Sequence, residues 1–467
     1  MKKIIISALA VLLAAGSTYA QSVEKFKDGD RVVYIGDSIT DGGHYHSYLW
    51  LFYATRFPYM DIRMYNAGIG GETAEMIYDR LDGDVFSKKP TYLTLSFGMN
   101  DTGYLEYKNE DRSEVERFGN AKYDWTISWF EKIVERLKKL EGVRIAMIGG
   151  SPYDDTTTME SAFGHLPGKN EVMQRISAAQ QKCAEKNGWG FVDFNEPMVQ
   201  IGMEQQKAKA DFSLTQGDRV HPDNAGQMVM TYLFLKAQGF TGSMVADVEI
   251  DARKAAVAKS GNCDISSLQC DRRQVSFDYL AESLPYPLDT IPHGLHGNGA
   301  PQAKAADYVP FNEEMNQEKL SVKGLAKGSW KLSIDGEEIG TWSSSELAQG
   351  INLAEQRWTP QYRQAQQVMY LNEFRWEIEQ NFREYAWMQY DIFQDLGLLD
   401  VNDRHAVEVL DSKKPGNGWI SWHRPNYAIY MHEGVRKARW AEMESLADTM
   451  YELAKPVTRK ITLSLVK

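Results

Sequence analysis

Cysteine is scarce. Cys183, Cys263 and Cys270 are the three in 467 residues. Their spacing matches no metal-ligand set, so a zinc site built on thiolates is excluded. Cys263 and Cys270 sit close together in a polar, loop-like stretch, where they either pair as a disulfide or stay two free thiols. Cys183 falls within a helical pattern and reads as a small buried residue. Long apolar runs are missing as well. Only Ile4 to Ala15 is continuous, and it is too short to span a bilayer comfortably. Basic charge is in deficit: 52 Lys and Arg face 64 Asp and Glu, a formal net charge of -12. That balance argues against nucleic acid or an anionic membrane surface as partner and leaves uncharged substrates open. No internal repeat of fixed period is evident.

What is present is ordinary globular composition, 43% hydrophobic and 25% charged, in a chain long enough for two or three domains. Residues 1–20 read as a secretory signal. Lys2 and Lys3 precede the apolar run, and Gly16-Ser17-Thr18-Tyr19-Ala20 offers small residues for cleavage before Gln21. A retained membrane anchor is the alternative. No Cys follows the cleavage point, so the usual lipoprotein attachment is missing. The expectation is an exported protein, periplasmic or secreted.

From about 21 to 245, strand-like and helix-like segments alternate. The strands are expected at 31–35, 62–65, 92–97, 144–148 and 190–194, with helices between them. Trp125, Trp129, Ile133 and Leu137, with Phe130 and Val134 beside them, mark one buried helix face. Alternation of this kind implies parallel strands joined by right-handed crossovers. The expected fold is a three-layer α/β/α sandwich on a five-stranded parallel sheet. Its ligand site should lie beyond the carboxyl ends of the strands.

Residues 246–310, broken by Pro285, Pro287, Pro292, Gly294, Gly297, Gly299 and Pro301, read as a connecting segment. Residues 311–467 read as an α+β extension with a small sheet and long helices. Leu320–Val322 and Trp330–Ile334 look like strands, and Asp335-Gly336 is a hairpin turn signal returning through Trp342. One long helix is expected from Pro360 to about Leu396 and a second from Tyr427 to Leu453. A last strand around Ile461, Leu463 and Leu465 would pair with the hairpin.

Four short blocks carry chemistry. Gly36-Asp37-Ser38 ends the first strand and exposes a hydroxyl on a sharp turn, near N–H groups that open a helix. Asn66 to Thr73, with Gly68, Gly70 and Gly71, follows the second strand and lets backbone N–H groups approach a ligand. A dinucleotide-binding loop does not fit, because the Gly-x-Gly-x-x-Gly spacing after the first strand is missing. Gly98-Met99-Asn100-Asp101 ends the third strand. There Asn100 is a neutral donor and Asp101 a support for the loop. Asp218-Arg219-Val220-His221 precedes the last helix, with a carboxylate able to reach one imidazole nitrogen while the other faces outward as a base. Singly, each block reads as a turn or cap.

Together, in order and placement, the four blocks resemble the SGNH (GDSL-type) hydrolase family over residues 28–240. The resemblance implies a serine esterase with Ser38 as nucleophile, His221 as base and Asp218 as its orienting carboxylate. It implies an oxyanion hole made of the Ser38 and Gly71 N–H groups and the Asn100 side chain, with no metal and no organic cofactor. The substrate class expected is acylated carbohydrate, through O-deacetylation of a polysaccharide or oligosaccharide. A lipid-type esterase, lysophospholipase or thioesterase is the second reading, and a non-catalytic glycan-binding protein on a hydrolase scaffold the third.

Three further groups stand out. His44 and His46 lack a third ligand and read as a cleft wall or helix surface. Ser151 to Asp155 follows the fourth strand and should lie near the cleft, with a role in specificity open. Trp419, Trp422, His423 and Arg424 cluster in the extension, where such aromatics either stack on sugars or fill a core. The extension itself either shapes one wall of the cleft or only stabilises the chain.

Overall fold

The computed structural model describes residues 22–294 and 299–466. The expected signal segment, residues 1–20, lies outside the described residues. Five parallel strands form the central sheet: β1 (Arg31–Gly36), β2 (Arg63–Gly68), β3 (Tyr92–Phe97), β4 (Arg144–Gly149) and β5 (Gly190–Asp193), in the order β2-β1-β3-β4-β5. Apart from the strand ends and Ser96 they are buried, which is why they read as continuous apolar runs rather than alternating ones. Helix Tyr45–Arg56 packs with helix Asn224–Ala237, and helix Arg112–Leu137 packs with helix Lys169–Asn187, giving the expected three layers. Chain order reverses across β1, flanked by β2 and β3. In such sheets the crevice for a ligand opens at that switch point. The buried face of helix Arg112–Leu137 is Thr126, Phe130, Ile133, Val134 and Leu137. Trp125 and Trp129, expected on that face, sit at its margin, half-buried.

The expectation of an irregular connector over 246–310 fails in its first half. Four strands stand there: β6 (Met244–Asp251), β7 (Ala256–Gly261), β8 (Cys263–Cys270) and β9 (Gln274–Ala281). Strand β7 is exposed along almost its whole length, so it carries no apolar alternation to betray it. With β10 (Gln317–Lys323), β11 (Ser329–Ile334), β12 (Glu337–Ser343), β13 (Ile351–Asn352) and β14 (Arg459–Leu465) they build two small sheets, β13-β10-β6-β7 and β12-β11-β14-β9-β8. Both contribute to one core around Val248, Phe277, Trp330, Leu332 and Leu463. The turn at Asp335-Gly336 has φ of 52° and 85°, as a tight hairpin demands. Strand β14 pairs antiparallel with hairpin strand β11, as expected, and on its other side with β9. Cys263 and Cys270 are free thiols at opposite ends of β8, roughly 20 Å apart for a strand of that length. Cys183 is half-buried rather than buried.

Thr359 caps the long helix Pro360–Trp387, with Pro360 at its first position, and a turn at Met388–Phe393 extends it. The second long helix is two helices, Gly418–Tyr430 and Glu433–Ala454. The Arg436 guanidinium donates to the Tyr430 and Met431 carbonyls at 2.6 and 2.9 Å, closing off the first of them. A short amphipathic helix, Arg404–Lys413, buries Ala406 and Leu410 on one face. The long helix pairs with Glu433–Ala454 and lies against helix Tyr45–Arg56 and β2, the outer strand of the central sheet. This contact brings the extension to the end of the sheet where the chemical blocks gather. Among the described residues, no helix is long and apolar enough to cross a membrane.

Candidate active site

Ser38 opens a one-turn helix, Ser38–Asp41, directly after β1. Asp37 caps it by accepting the Ile39 N–H at 2.9 Å. A Cβ at Gly36 would strike Thr40 Oγ1, so only glycine lets the strand turn this sharply into the helix. The Ser38 hydroxyl is therefore held at the strand end, beside the first N–H groups of the helix.

His221 arrives from the loop before helix Asn224–Ala237. Its Nε2 is 2.8 Å from Ser38 Oγ and its Nδ1 2.5 Å from Asp218 Oδ2. The other Asp218 oxygen accepts the N–H groups of Val220 and His221 at 2.8 and 2.9 Å. Burial pushes the Asp218 carboxyl up, but the bond and charge of His221 and these N–H groups outweigh it and hold it at about 2. Asp218 is thus ionised throughout the neutral range and fixes the imidazole's orientation. Between them Arg219 takes φ 69°, an uncommon conformation for a long side chain. Its guanidinium donates to the Asp154 and Met159 carbonyls, and its own carbonyl accepts the Asp154 N–H at 2.9 Å. The Ser151 to Asp155 segment thereby braces the His221 loop. Pro152 to Asp155 also line, with Leu214, Thr215 and Pro222, a cavity of about 50 Å³.

Gly71 has φ 89°, where a side chain would be strained, and its N–H makes no hydrogen bond among the described residues. Its neighbour Gly70 lies beside the nucleophile block: a Cβ there would be 3.9 Å from Ser38 Cβ. Asn100 is oriented from both sides. Tyr104 donates its hydroxyl to Asn100 Oδ1 at 2.9 Å, and Asn100 Nδ2 donates one hydrogen to the Glu72 carbonyl at 2.9 Å. The second Nδ2 hydrogen stays available. Asp101 accepts the N–H groups of Ala74 and Gly98, each at 2.9 Å, tying the two loops together as expected of a support. Geometrically, these groups can pass a hydroxyl proton to an imidazole and offer N–H donors to a developing oxyanion.

Several contributors are absent from the sequence motifs. Lys169 is fully buried beneath the Asn100 loop, and its Nζ donates to the Met99 and Gly103 carbonyls and to Thr102 Oγ1, each at 2.6 Å. Burial pushes this amine down to about 7. The extension supplies three more from one face of the long helix. Glu379 accepts the Asn66 N–H at 2.8 Å, Gln380 donates to Asp41 Oδ1 at 3.2 Å, and Arg383 donates to the Gly68 carbonyl at 2.8 Å. Asp41 in turn accepts the Gly70 N–H at 3.1 Å. Arg383 also grips Asp84, which Arg80 shares; Arg80 reaches Glu72 at 2.7 Å and the Gly36 carbonyl at 3.3 Å. The spacing of 379, 380 and 383 on one helix was readable. Their partners more than 300 residues upstream were not.

The remaining candidates divide. His44 is buried, 3.0 Å from Glu373 and stacked on Trp376 of the long helix, while His46 is 3.1 Å from the Thr40 carbonyl. Both are interior joints between layers rather than a cleft wall, and burial pushes His46 down to about 4. Among the described residues, no cluster of three or more His, Cys, Asp or Glu could hold a metal ion. Arg424 binds Asp411, joining two helices of the extension. Trp419 and Trp422 are exposed, whereas His423 is buried.

Comparison with known proteins follows the same division. Residues 34–229 match the GDSL-like lipase/acylhydrolase family, and residues 366–455 match the diltiazem deacetylase C-terminal helical domain. A solved structure described as BT4096, a gut microbial diltiazem-metabolizing enzyme, is 51% identical. It covers 96% of this chain and 100% of its own, with a TM-score of 0.93. An acetylxylan esterase of Geobacillus stearothermophilus is 25% identical over 234 residues, 46% of this chain and 97% of that protein. The chain is an ester-hydrolysing enzyme and belongs to the GDSL-type (SGNH) acylhydrolase family. Within that class it joins the proteins whose hydrolase fold is followed by the diltiazem deacetylase C-terminal helical domain.

Proposed function

We propose that this enzyme is an acetylesterase that removes O-acetyl groups from carbohydrate, with Ser38 as nucleophile, His221 as base and Asp218 as orienting carboxylate. The observation that carries the reading is the relay of 2.8 Å and 2.5 Å through the His221 ring. Ser38 Oγ attacks the ester carbonyl as its proton passes to His221 Nε2. The Ser38 and Gly71 N–H groups and the second Nδ2 hydrogen of Asn100 receive the oxyanion. His221 then protonates the leaving alcohol, acetyl stays on Ser38, and a water activated by His221 releases it as acetate.

The acetyl group is supported by the names of two similar proteins, an acetylxylan esterase and a family of diltiazem deacetylases. Carbohydrate is supported by the first and by the aromatic faces the extension exposes. The likeness to the diltiazem-metabolizing structure favours a second reading, in which the enzyme also deacetylates diltiazem. A lipid-type esterase differs in its preference for acyl chain length. An exported location rests on the pattern of residues 1–20 and is tested by sequencing the mature amino terminus, expected at Gln21.

The test is acetate release from acetylated xylan, pectin and mannan, from diltiazem, and from p-nitrophenyl esters of rising chain length, with Ser38→Ala as control. Acetate release from at least one glycan, falling activity beyond the acetyl ester and a silent control support the reading. Rising activity with chain length and no acetate from any glycan would overturn it.

A further inference from the structure

Three aromatic rings of the extension pack into one cluster, in which Trp387 and Trp419 stack directly with centroids 6.1 Å apart and planes at 26°. Trp419 stacks on His423 with centroids 5.9 Å apart and planes at 19°, and His423 lies against Trp387 at 4.7 Å. Both Trp419 and His423 come from helix Gly418–Tyr430, four residues apart and so on one face, while Trp387 ends the long helix. Trp387 belongs to a buried cluster with Ile69, the residue before Gly70. Through Trp387 the ring cluster is therefore continuous with the residue that precedes the Gly70–Gly71 turn.

The cluster is open to solvent at Trp419. Trp419 is 57% exposed and Trp422, one turn away on the same helix, 61%. Two tryptophans left in water within one helical turn mark a surface that awaits a flat partner. Beside both indoles, His423 is buried, yet neither ring nitrogen has a hydrogen-bond partner. The nearest carboxylate oxygen, on Glu384, is 4.0 Å from Nδ1, beyond bonding distance. A buried imidazole with both nitrogens unpaired is costly unless a ligand completes it.

We infer that Trp387, His423 and Trp419 form the subsite for the alcohol portion of the ester, and that this portion is a hydroxyl-bearing ring such as a pyranose. The indole faces match the C–H face of such a ring, and the His423 nitrogens match its hydroxyl edge. An aryl group without hydroxyls would use the rings and leave His423 unpaired. The inference rests on the deacetylase reading above but adds to it which residues read the alcohol.

The experiment uses the full chain, with a monoacetylated methyl xyloside as the ring alcohol and triacetin as an ester without a ring. Trp419→Ala is expected to raise KM for the xyloside about tenfold, the size of a lost aromatic face contact, with triacetin kinetics within twofold of wild type. His423→Phe keeps the stack and removes both nitrogens. It is expected to lower kcat/KM on the xyloside at least fivefold and leave triacetin unchanged. Equal effects on both esters, or no effect on either, overturn the subsite. Wild-type protein that releases acetate from triacetin but never from the xyloside overturns it too. Wild-type protein inert on both esters instead overturns the deacetylase reading on which it stands.

Discussion

Arg383 Nε donates to the carbonyl of Gly68 at 2.8 Å, across 315 residues of sequence, while its two terminal nitrogens hold both oxygens of Asp84. Gly68 ends the strand from which the Gly70–Gly71 turn projects. The extension therefore fixes the loop that faces Ser38 by a planar, bidentate clasp. Arg383→Met leaves a buried carboxylate short of one partner. A loss of about 3 kcal/mol is expected, at the lower end for broken buried pairs because Arg80 and Lys88 still touch Asp84. Turnover should fall at least tenfold even where the protein remains folded, and Arg383→Lys should recover stability more than turnover. Urea unfolding and acetate release on the same preparations decide it; unchanged turnover in folded Arg383→Met would show the clasp to be structural only.

Asn100 is aimed by Tyr104 and the Glu72 carbonyl. Removing an oxyanion donor typically lowers turnover by about 100- to 1,000-fold. Asn100→Ala should lose that much in kcat with KM nearly unchanged. Tyr104→Phe keeps the donor but frees its orientation, so a smaller loss of about tenfold is expected. Steady-state kinetics on p-nitrophenyl acetate read both, and an Asn100→Ala enzyme with full kcat would exclude this donor.

Glu318 is buried in the extension, with Oε1 accepting from Tyr279 and Gln361 at 2.9 and 3.0 Å. Burial outweighs these bonds and pushes its carboxyl up to about 7. The folded protein then keeps a proton that the unfolded chain has lost between about pH 4 and pH 7, so this group's contribution to stability falls as pH rises through that window. Glu318→Gln escapes the penalty. Its stability relative to wild type should climb by about 1–3 kcal/mol from pH 4.5 to pH 7.5. Urea midpoints at the two pH values measure it, and a constant difference would contradict the buried charge.

With Cys263 and Cys270 at the two ends of one strand, no disulfide is expected. Alkylation in denaturant without reductant should add three carbamidomethyl groups by mass. One group only would require those two strand ends to meet.

The parallel sheet was legible because each of its strands is a short apolar run closed by a turn block, and burial on both faces leaves no ambiguity of period. The blocks at Ser38, Gly71, Asn100 and His221 were legible for a related reason, since each sits where a strand or helix ends. Strands β7 and β8 were not. Strand β7 is exposed on both faces, so its period-2 signal vanishes, whereas in β8 the alternation of Cys263, Ile265, Leu268 and Cys270 is interrupted by a bulge between Ser266 and Gln269. The break at Met431–His432 was missed because its stop signal is a side chain, Arg436, that reaches back to the last carbonyls. Arg383, Glu379 and Lys169 looked like ordinary charged helix positions. Only the folded chain shows that each is buried against backbone at the end of a strand or in the loop that follows one.

The central claim is that the residue 38 hydroxyl becomes a nucleophile through residue 221, and a fluorophosphonate probe tests it most directly. Incubation of the intact enzyme followed by peptide mass spectrometry should find one adduct per chain, on Ser38, and labelling should slow at least a thousandfold in His221→Ala. A chain that hydrolyses acetyl esters yet takes up no probe at Ser38, or a Ser38→Ala enzyme that still turns over, would contradict it.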